Sequence, residues 1–153
     1  MYIRPSIDEI KKRLSQYSAI RVELDNLEDR LARLKSEETL PATRPSDGSK
    51  STGSTGDRQE RSIIRRMEYE ERHMAEIHAK RNELRDIECL INDIPDPMER
   101  MVLRIRYTDS ETAKPTPWRA VAMAIYKDDS DSKMLAIYRL HGRALKNIHE
   151  LMP

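Results

Sequence analysis

The chain has no phenylalanine, one tryptophan, one cysteine and four glycines. It also has no apolar run approaching the roughly 18 residues of a membrane-spanning helix. Each scarcity excludes something. A lone Cys89 cannot close an internal disulfide and suits a reducing cytosol. The few glycines lack the Gly-Lys-Ser/Thr register of a phosphate-cradling loop. With 5% aromatic and 37% hydrophobic residues, there is little material for a large ligand-enclosing core. The start Met-Tyr-Ile-Arg-Pro-Ser has no basic-then-apolar leader pattern. Ser, His and Asp occur without a nucleophile-elbow spacing, and the carboxylates are spread along charged stretches. The expectation is a soluble cytoplasmic protein that is not an enzyme. No cofactor, metal, membrane or small-molecule substrate is expected.

What is abundant is charge, at 36% of residues and with a net of only +1. Positive and negative residues nearly cancel in both halves, so bulk charge alone does not bind nucleic acid. Ala, Glu, Leu, Lys and Arg make up close to half the chain, a composition of long charged helices. The fold class expected is all-α: a long antiparallel helical hairpin of coiled-coil type, then a three-helix helix-turn-helix domain.

Ser6-Ile7-Asp8-Glu9 reads as a capping box. Beyond it, Ile7, Ile10, Leu14, Tyr17, Ile20, Leu24, Leu27, Leu31 and Leu34 recur at steps of three and four. That is a coiled-coil seam with one irregularity between Tyr17 and Ile20. Residues 1–40 are therefore assigned to a first coiled-coil helix. Residues 41–57, rich in Pro, Gly, Ser and Thr, form a connecting loop. Residues 58–94 form a second coiled-coil helix with its stripe on Ile63, Met67, Met74, Ile77, Leu84, Ile87, Ile91 and Ile94, if Glu70 and Arg81 fill two seam positions. Two helices shield a seam poorly, so a second copy or the C-terminal region covers the rest, and a homodimer is expected. His73 and His78 are five apart, which does not place metal ligands on one helix face. Cys89 reads as a small residue at a helix interface.

Residues 95–153 form the third region. Asp96 and Pro97 suit N-cap and N1, and Glu99 completes a box-like start. Met98, Met101, Val102, Ile105 and Tyr107 supply the buried side of this helix. A loop over 108–116 leads to a short helix with Trp118, Val121, Ala122 and Ile125 on one face. An acidic turn over 127–132 precedes a last helix from about Lys133 to Leu151. Its core face carries Met134, Ile137, His141, Ala144, Leu145 and Ile148, and its outer face Leu135, Arg139, Gly142, Arg143 and Lys146. Arg139, Arg143 and Lys146 fall within about 60° of one another around the helix. Such a row suits the phosphates along a DNA groove, and an arginine can read a guanine edge. Gly142 costs about 1 kcal/mol relative to Ala in mid-helix, so it calls for close approach of a neighbouring helix or a phosphate. His141 reads as a hydrogen-bonded packing residue, Trp118 as core, and Tyr138 as an edge residue whose hydroxyl can reach a phosphate.

Ile94-Pro95-Asp96-Pro97-Met98-Glu99-Arg100, Leu103-Arg104-Ile105-Arg106-Tyr107, Trp118 with Ala122, and Ile137-Tyr138-Arg139-Leu140-His141-Gly142-Arg143-Ala144-Leu145 together resemble a family of phage and prophage proteins. These carry a sigma-factor region-four-like helix-turn-helix and are similar to the RinA and ArpU late-transcription regulators. The run from Tyr138 to Leu145 is its most specific piece, and the layout of two long helices around a Ser/Gly loop matches as well. The resemblance implies a DNA-binding transcription regulator in a bacterial host cell. It would act on double-stranded promoter DNA through the last helix, alongside host RNA polymerase. The expected DNA-facing set is Lys133, Ala136, Tyr138, Arg139, Arg143 and Lys146, with Arg119 on the preceding helix. The alternatives are a phage packaging adaptor resembling a small terminase subunit, and a coiled-coil interaction protein that binds polymerase. The start Lys133-Met134-Leu135-Ala136 is poor in polar base readers and offers Leu135 to a protein surface.

Overall fold

The computed structural model describes residues 3–39 and 55–153, and every described element is helical. The expected 41–57 loop lies outside the described residues as far as residue 54. Ser6 caps the first helix, α1 (Ile7–Ser15): its Oγ accepts the Glu9 N–H at 3.2 Å, while Glu9 Oε2 accepts the Ser6 N–H at 2.6 Å. The reciprocal bonds satisfy two donors that a helix start leaves open. They also hold the Glu9 carboxyl below its ordinary pKa. The helix bends at Gln16, which keeps right-handed helical angles and donates its N–H to the Lys12 carbonyl at 3.2 Å, and continues as α2 (Tyr17–Thr39). There the Ser15 hydroxyl donates back to the Lys11 carbonyl at 2.8 Å, a bond that competes with the helical ladder. The single expected helix is thus bent just ahead of the irregular Tyr17–Ile20 step.

Helix α3 (Thr55–Asn92) starts three residues before the expected 58, with Asp57 in its first turn, where a carboxylate meets the positive end of the helix dipole. Asp96 Oδ1 accepts the Met98 N–H at 2.9 Å and starts α4 (Pro97–Leu103) with Pro97 at N1. The chain then widens into one π-turn over Arg104–Thr108. Helix α5 (Trp118–Tyr126) ends at Lys127, whose φ of 54° is left-handed, and α6 (Asp131–Leu151) follows after this short turn.

The described residues gather into two compact units. One is Leu24–Ala79. In it Arg66 pairs with Glu38 and with Glu70, and the Tyr69 hydroxyl donates to the Leu27 carbonyl at 2.9 Å. Leu24, Leu31, Leu34 and Ile77 are buried, but the expected stripe departs at the start of α3. Met67 is 57% exposed and Ser62 is buried in its place, with Arg66, Tyr69 and His73 half-buried. Their polar ends are satisfied locally, so polar side chains occupy positions that a hydropathy pattern assigns to apolar ones.

The other unit joins the chain up to Glu23 with Lys80–Pro153. Here Arg13 makes bonds of 2.6 and 3.0 Å to the two Glu83 oxygens, and the Tyr17 hydroxyl donates to Glu88. Helix α6 packs on α1, α4 and α5. Val102, Val121, Ala122, Ile137 and Leu140 form its core, with Met98, Ile105, Trp118, Ile125, Tyr126 and Met134 against them. Side chains of α2 take up carbonyls at the end of the π-turn and just beyond it: Ser18 Oγ donates to Tyr107 O at 3.0 Å, and the Arg21 guanidinium reaches the carbonyls of Thr108 and Ser110.

Four expectations need correction here. Ile7 is 41% exposed and lies outside the seam. Met101 is 42% exposed, because α4 buries the arc Glu99, Val102 and Leu103, which is centred opposite it. Glu99 makes no return bond to its own helix start; it is buried and accepts Asn147 Nδ2–H at 2.6 Å from α6. Cys89 is exposed, since the inner row of this stretch runs through Leu84, Ile87 and Ile91.

Candidate functional site

Helix α6 is amphipathic by sequence, and its packing follows. Ile137, Leu140, His141, Ala144, Leu145 and Ile148 are buried, which turns Leu135, Arg139, Gly142, Arg143 and Lys146 outward, all of them exposed. Among the described residues, no hydrogen bond or ion pair engages the side chains of Arg139, Arg143, Lys146 or Arg119. The acidic Asp128, Asp129 and Asp131 all lie at the N-terminal end of the helix or in the turn before it. The middle of α6 therefore presents a cationic face, and the acidic side chain of α6 on the same side, exposed Glu150, lies one turn beyond Lys146 toward the C-terminus.

The remaining expected residues occupy different environments. Lys133 is half-buried, with its ammonium 4.8 Å from the centre of the Tyr126 ring, so part of its charge is engaged with an aromatic face. Ala136 is half-buried. Tyr138 is 46% exposed and sets its ring edge-on to Trp118 at 5.4 Å. Arg119 is exposed at the start of α5. Thus α6 brings Arg139, Arg143, Lys146 and, at the border, Tyr138 onto one surface, while Lys133 and Ala136 are partly covered.

Beneath that surface lies a polar and aromatic support. His141 is 7% exposed and its Nε2 is 2.7 Å from the Tyr107 hydroxyl. Its ring meets Trp118 edge-on at 4.7 Å. Burial, with Lys11 and Arg106 nearby, pushes His141 down to about 4, so it is neutral at physiological pH. Burial also raises the Tyr107 phenol above its ordinary value. The Arg106 guanidinium stacks 4.2 Å from the centre of the Trp118 ring and donates to the Thr116 carbonyl. The buried Arg106 Nε has no partner among the described residues. Sequence reasoning gave Arg106 no role of its own; its only signal is that it and Arg104 interrupt an apolar helical stretch.

Gly142 was expected to admit a neighbouring helix or a phosphate. The first reason is overturned, because a Cβ built there meets no atom of the chain within 4 Å. Elsewhere, His73 packs its ring 4.5 Å from Tyr69, and His78 is exposed. No group of three potential metal ligands forms among the described residues. A 270 Å³ cleft is lined by Tyr17, Glu88, Arg104 and Asp109, and a 490 Å³ cleft by Ile3, Arg4, Ile10 and Leu90. In the first, the Tyr17 phenol is held protonated by burial and by its bond to Glu88. Among the described residues no helix is long and apolar enough to cross a membrane.

No protein-family model, curated protein or solved structure matches the chain.

Proposed function

We propose that this chain is a DNA-binding transcription regulator of phage type, with α5 and α6 as its helix-turn-helix and α6 as the groove-facing helix. It acts as a homodimer on double-stranded promoter DNA in the bacterial cytoplasm, with host RNA polymerase as a second partner. One observation carries the reading: Arg139, Arg143 and Lys146 share an exposed face and are unpaired among the described residues. Cations elsewhere on the chain, such as Arg13, Arg66 and Lys80, are held by carboxylates. A row left without them suits an anionic partner from outside, and its i, i+4, i+7 spacing fits successive phosphates along one groove wall.

The polymerase contact rests on Leu135, which is 48% exposed one turn before Arg139 and cannot hydrogen-bond a base. An apolar side chain beside a cationic row suits a protein surface that meets the complex while it is on DNA. The test is recovery and sequencing of genomic fragments bound by the purified protein, with and without polymerase. Enrichment of discrete sites that is lost on Arg143→Ala supports the reading. Recovery at background level under both conditions contradicts it.

A further inference from the structure

Gly142 stands near the middle of the length of the 21-residue α6, at one edge of the outward face that carries Leu135, Arg139 and Lys146. Glycine is the poorest ordinary residue for a helix interior. Two structural reasons commonly justify one, and both are absent here. Its φ is not in the left-handed region, and it lies within regular helix. No neighbour crowds it, since the space where a side chain would stand is open to 4 Å. Within the chain, alanine would fit and would strengthen the helix. The gap in the side-chain layer therefore faces outward, and it is flanked at i−3, i+1 and i+4 by three cations unpaired among the described residues.

We propose that Gly142 is the point where a DNA sugar-phosphate strand lies directly against the α6 backbone. The missing side chain sets how closely Arg139, Arg143 and Lys146 approach the phosphates. This rests on the DNA-binding reading above and deepens it by assigning the contact to a backbone position. A methyl at residue 142 stands between strand and helix and moves the three cations outward together. Taking three cation–phosphate pairs from about 4 to about 6 Å in a water-like dielectric weakens binding roughly 5-fold. A larger side chain weakens it further. The cations themselves remain, so the number of counterions released, and with it the salt slope, changes little. Closeness and charge count are thus separable.

The experiment compares wild type, Gly142→Ala, Gly142→Leu and Arg143→Ala for binding to a random-sequence DNA duplex at low salt, with thermal unfolding and sedimentation of each. Expected is a graded loss, roughly 5-fold for Ala and larger for Leu, while both variants melt about 3 °C or more above wild type. Higher stability with lower affinity is an outcome that a purely structural glycine does not give. If Gly142→Ala and Gly142→Leu bind like wild type while Arg143→Ala binds less, the DNA reading stands and the Gly142 contact is overturned. If the wild type itself does not bind the duplex, both fall. A fall in melting temperature assigns the glycine to the fold, and a loss of self-association assigns it to a protein interface; either result overturns the proposal.

Discussion

Tyr107 and His141 come from segments 34 residues apart and meet at 2.7 Å between the phenol oxygen and Nε2, joining the π-turn after α4 to the buried face of α6. The bond holds the helix that carries Arg139 and Arg143 against the chain behind it. The imidazole is held neutral, because its surroundings include the cations Lys11 and Arg106 and exclude most of the water. A protonated ring would be desolvated and repelled.

That arrangement makes stability depend on pH in a definite direction. His141 titrates near 6.5 in the unfolded chain and at about 4 in the fold. Its contribution is complete above the unfolded value. As pH falls below it, the unfolded chain takes up a proton that the folded chain refuses, and stability is lost down to the folded value. The full loss is roughly 3 kcal/mol. Glu9, whose pKa is lowered, contributes an acid loss of its own, so the comparison is with His141→Gln, in which only the imidazole is gone. Denaturation midpoints at pH 7 and pH 4.5 should fall further for wild type than for the variant. Equal falls would contradict this account of His141.

Asn147 is expected to matter more than its half-exposed position suggests. Its amide donates to the buried Glu99 carboxylate at 2.6 Å. Asn147→Ala leaves a buried acceptor without that donor and should cost about 1–3 kcal/mol. Glu99→Gln with Asn147 intact should cost less, since a carbonyl oxygen remains to accept. Urea unfolding of the two variants checks the order.

These two contacts mark where the sequence was legible and where it was not. The capping box at Ser6 and Glu9, the Asp96 and Pro97 start, and the buried row on α6 follow from spacing within one or two helical turns, and each appears in the structure. The all-α class follows from the same periodicities. Glu99 was misassigned because its spacing from Asp96 also fits a local bond, and the donor that claims it lies 48 residues away. The inner row at the start of α3 was misread because Ser62, Arg66 and Tyr69 are covered through bonds to backbone and carboxylates, which apolar counting does not see. On the candidate surface, the outward set Arg139, Arg143 and Lys146 was readable from helical angle alone. The stacking of Lys133 on Tyr126 and the placement of Arg106 over Trp118 depend on tertiary approach and were not.

Self-association should be sensitive to Ile64 and Met67, three apart on α3 and exposed to 46% and 57%. Neighbouring apolar side chains left in water are natural contacts for a second copy. Sedimentation at micromolar concentration should give a dimer for wild type and a shift toward monomer for the Ile64→Glu, Met67→Glu double variant at unchanged helix content. A wild-type monomer would remove the homodimer from the proposed function.

The central claim is that α6 meets DNA through one cationic stripe, and the salt dependence of duplex binding tests it most directly. Each phosphate contact releases about one condensed counterion, so the logarithm of affinity falls linearly with the logarithm of salt concentration. Arg139→Ala, Arg143→Ala and Lys146→Ala, each confirmed to be folded, should lower affinity and reduce the magnitude of that slope by roughly 1 per substitution. Affinity and slope unchanged from wild type in all three would contradict the account and leave the outer face of α6 without a role in DNA binding.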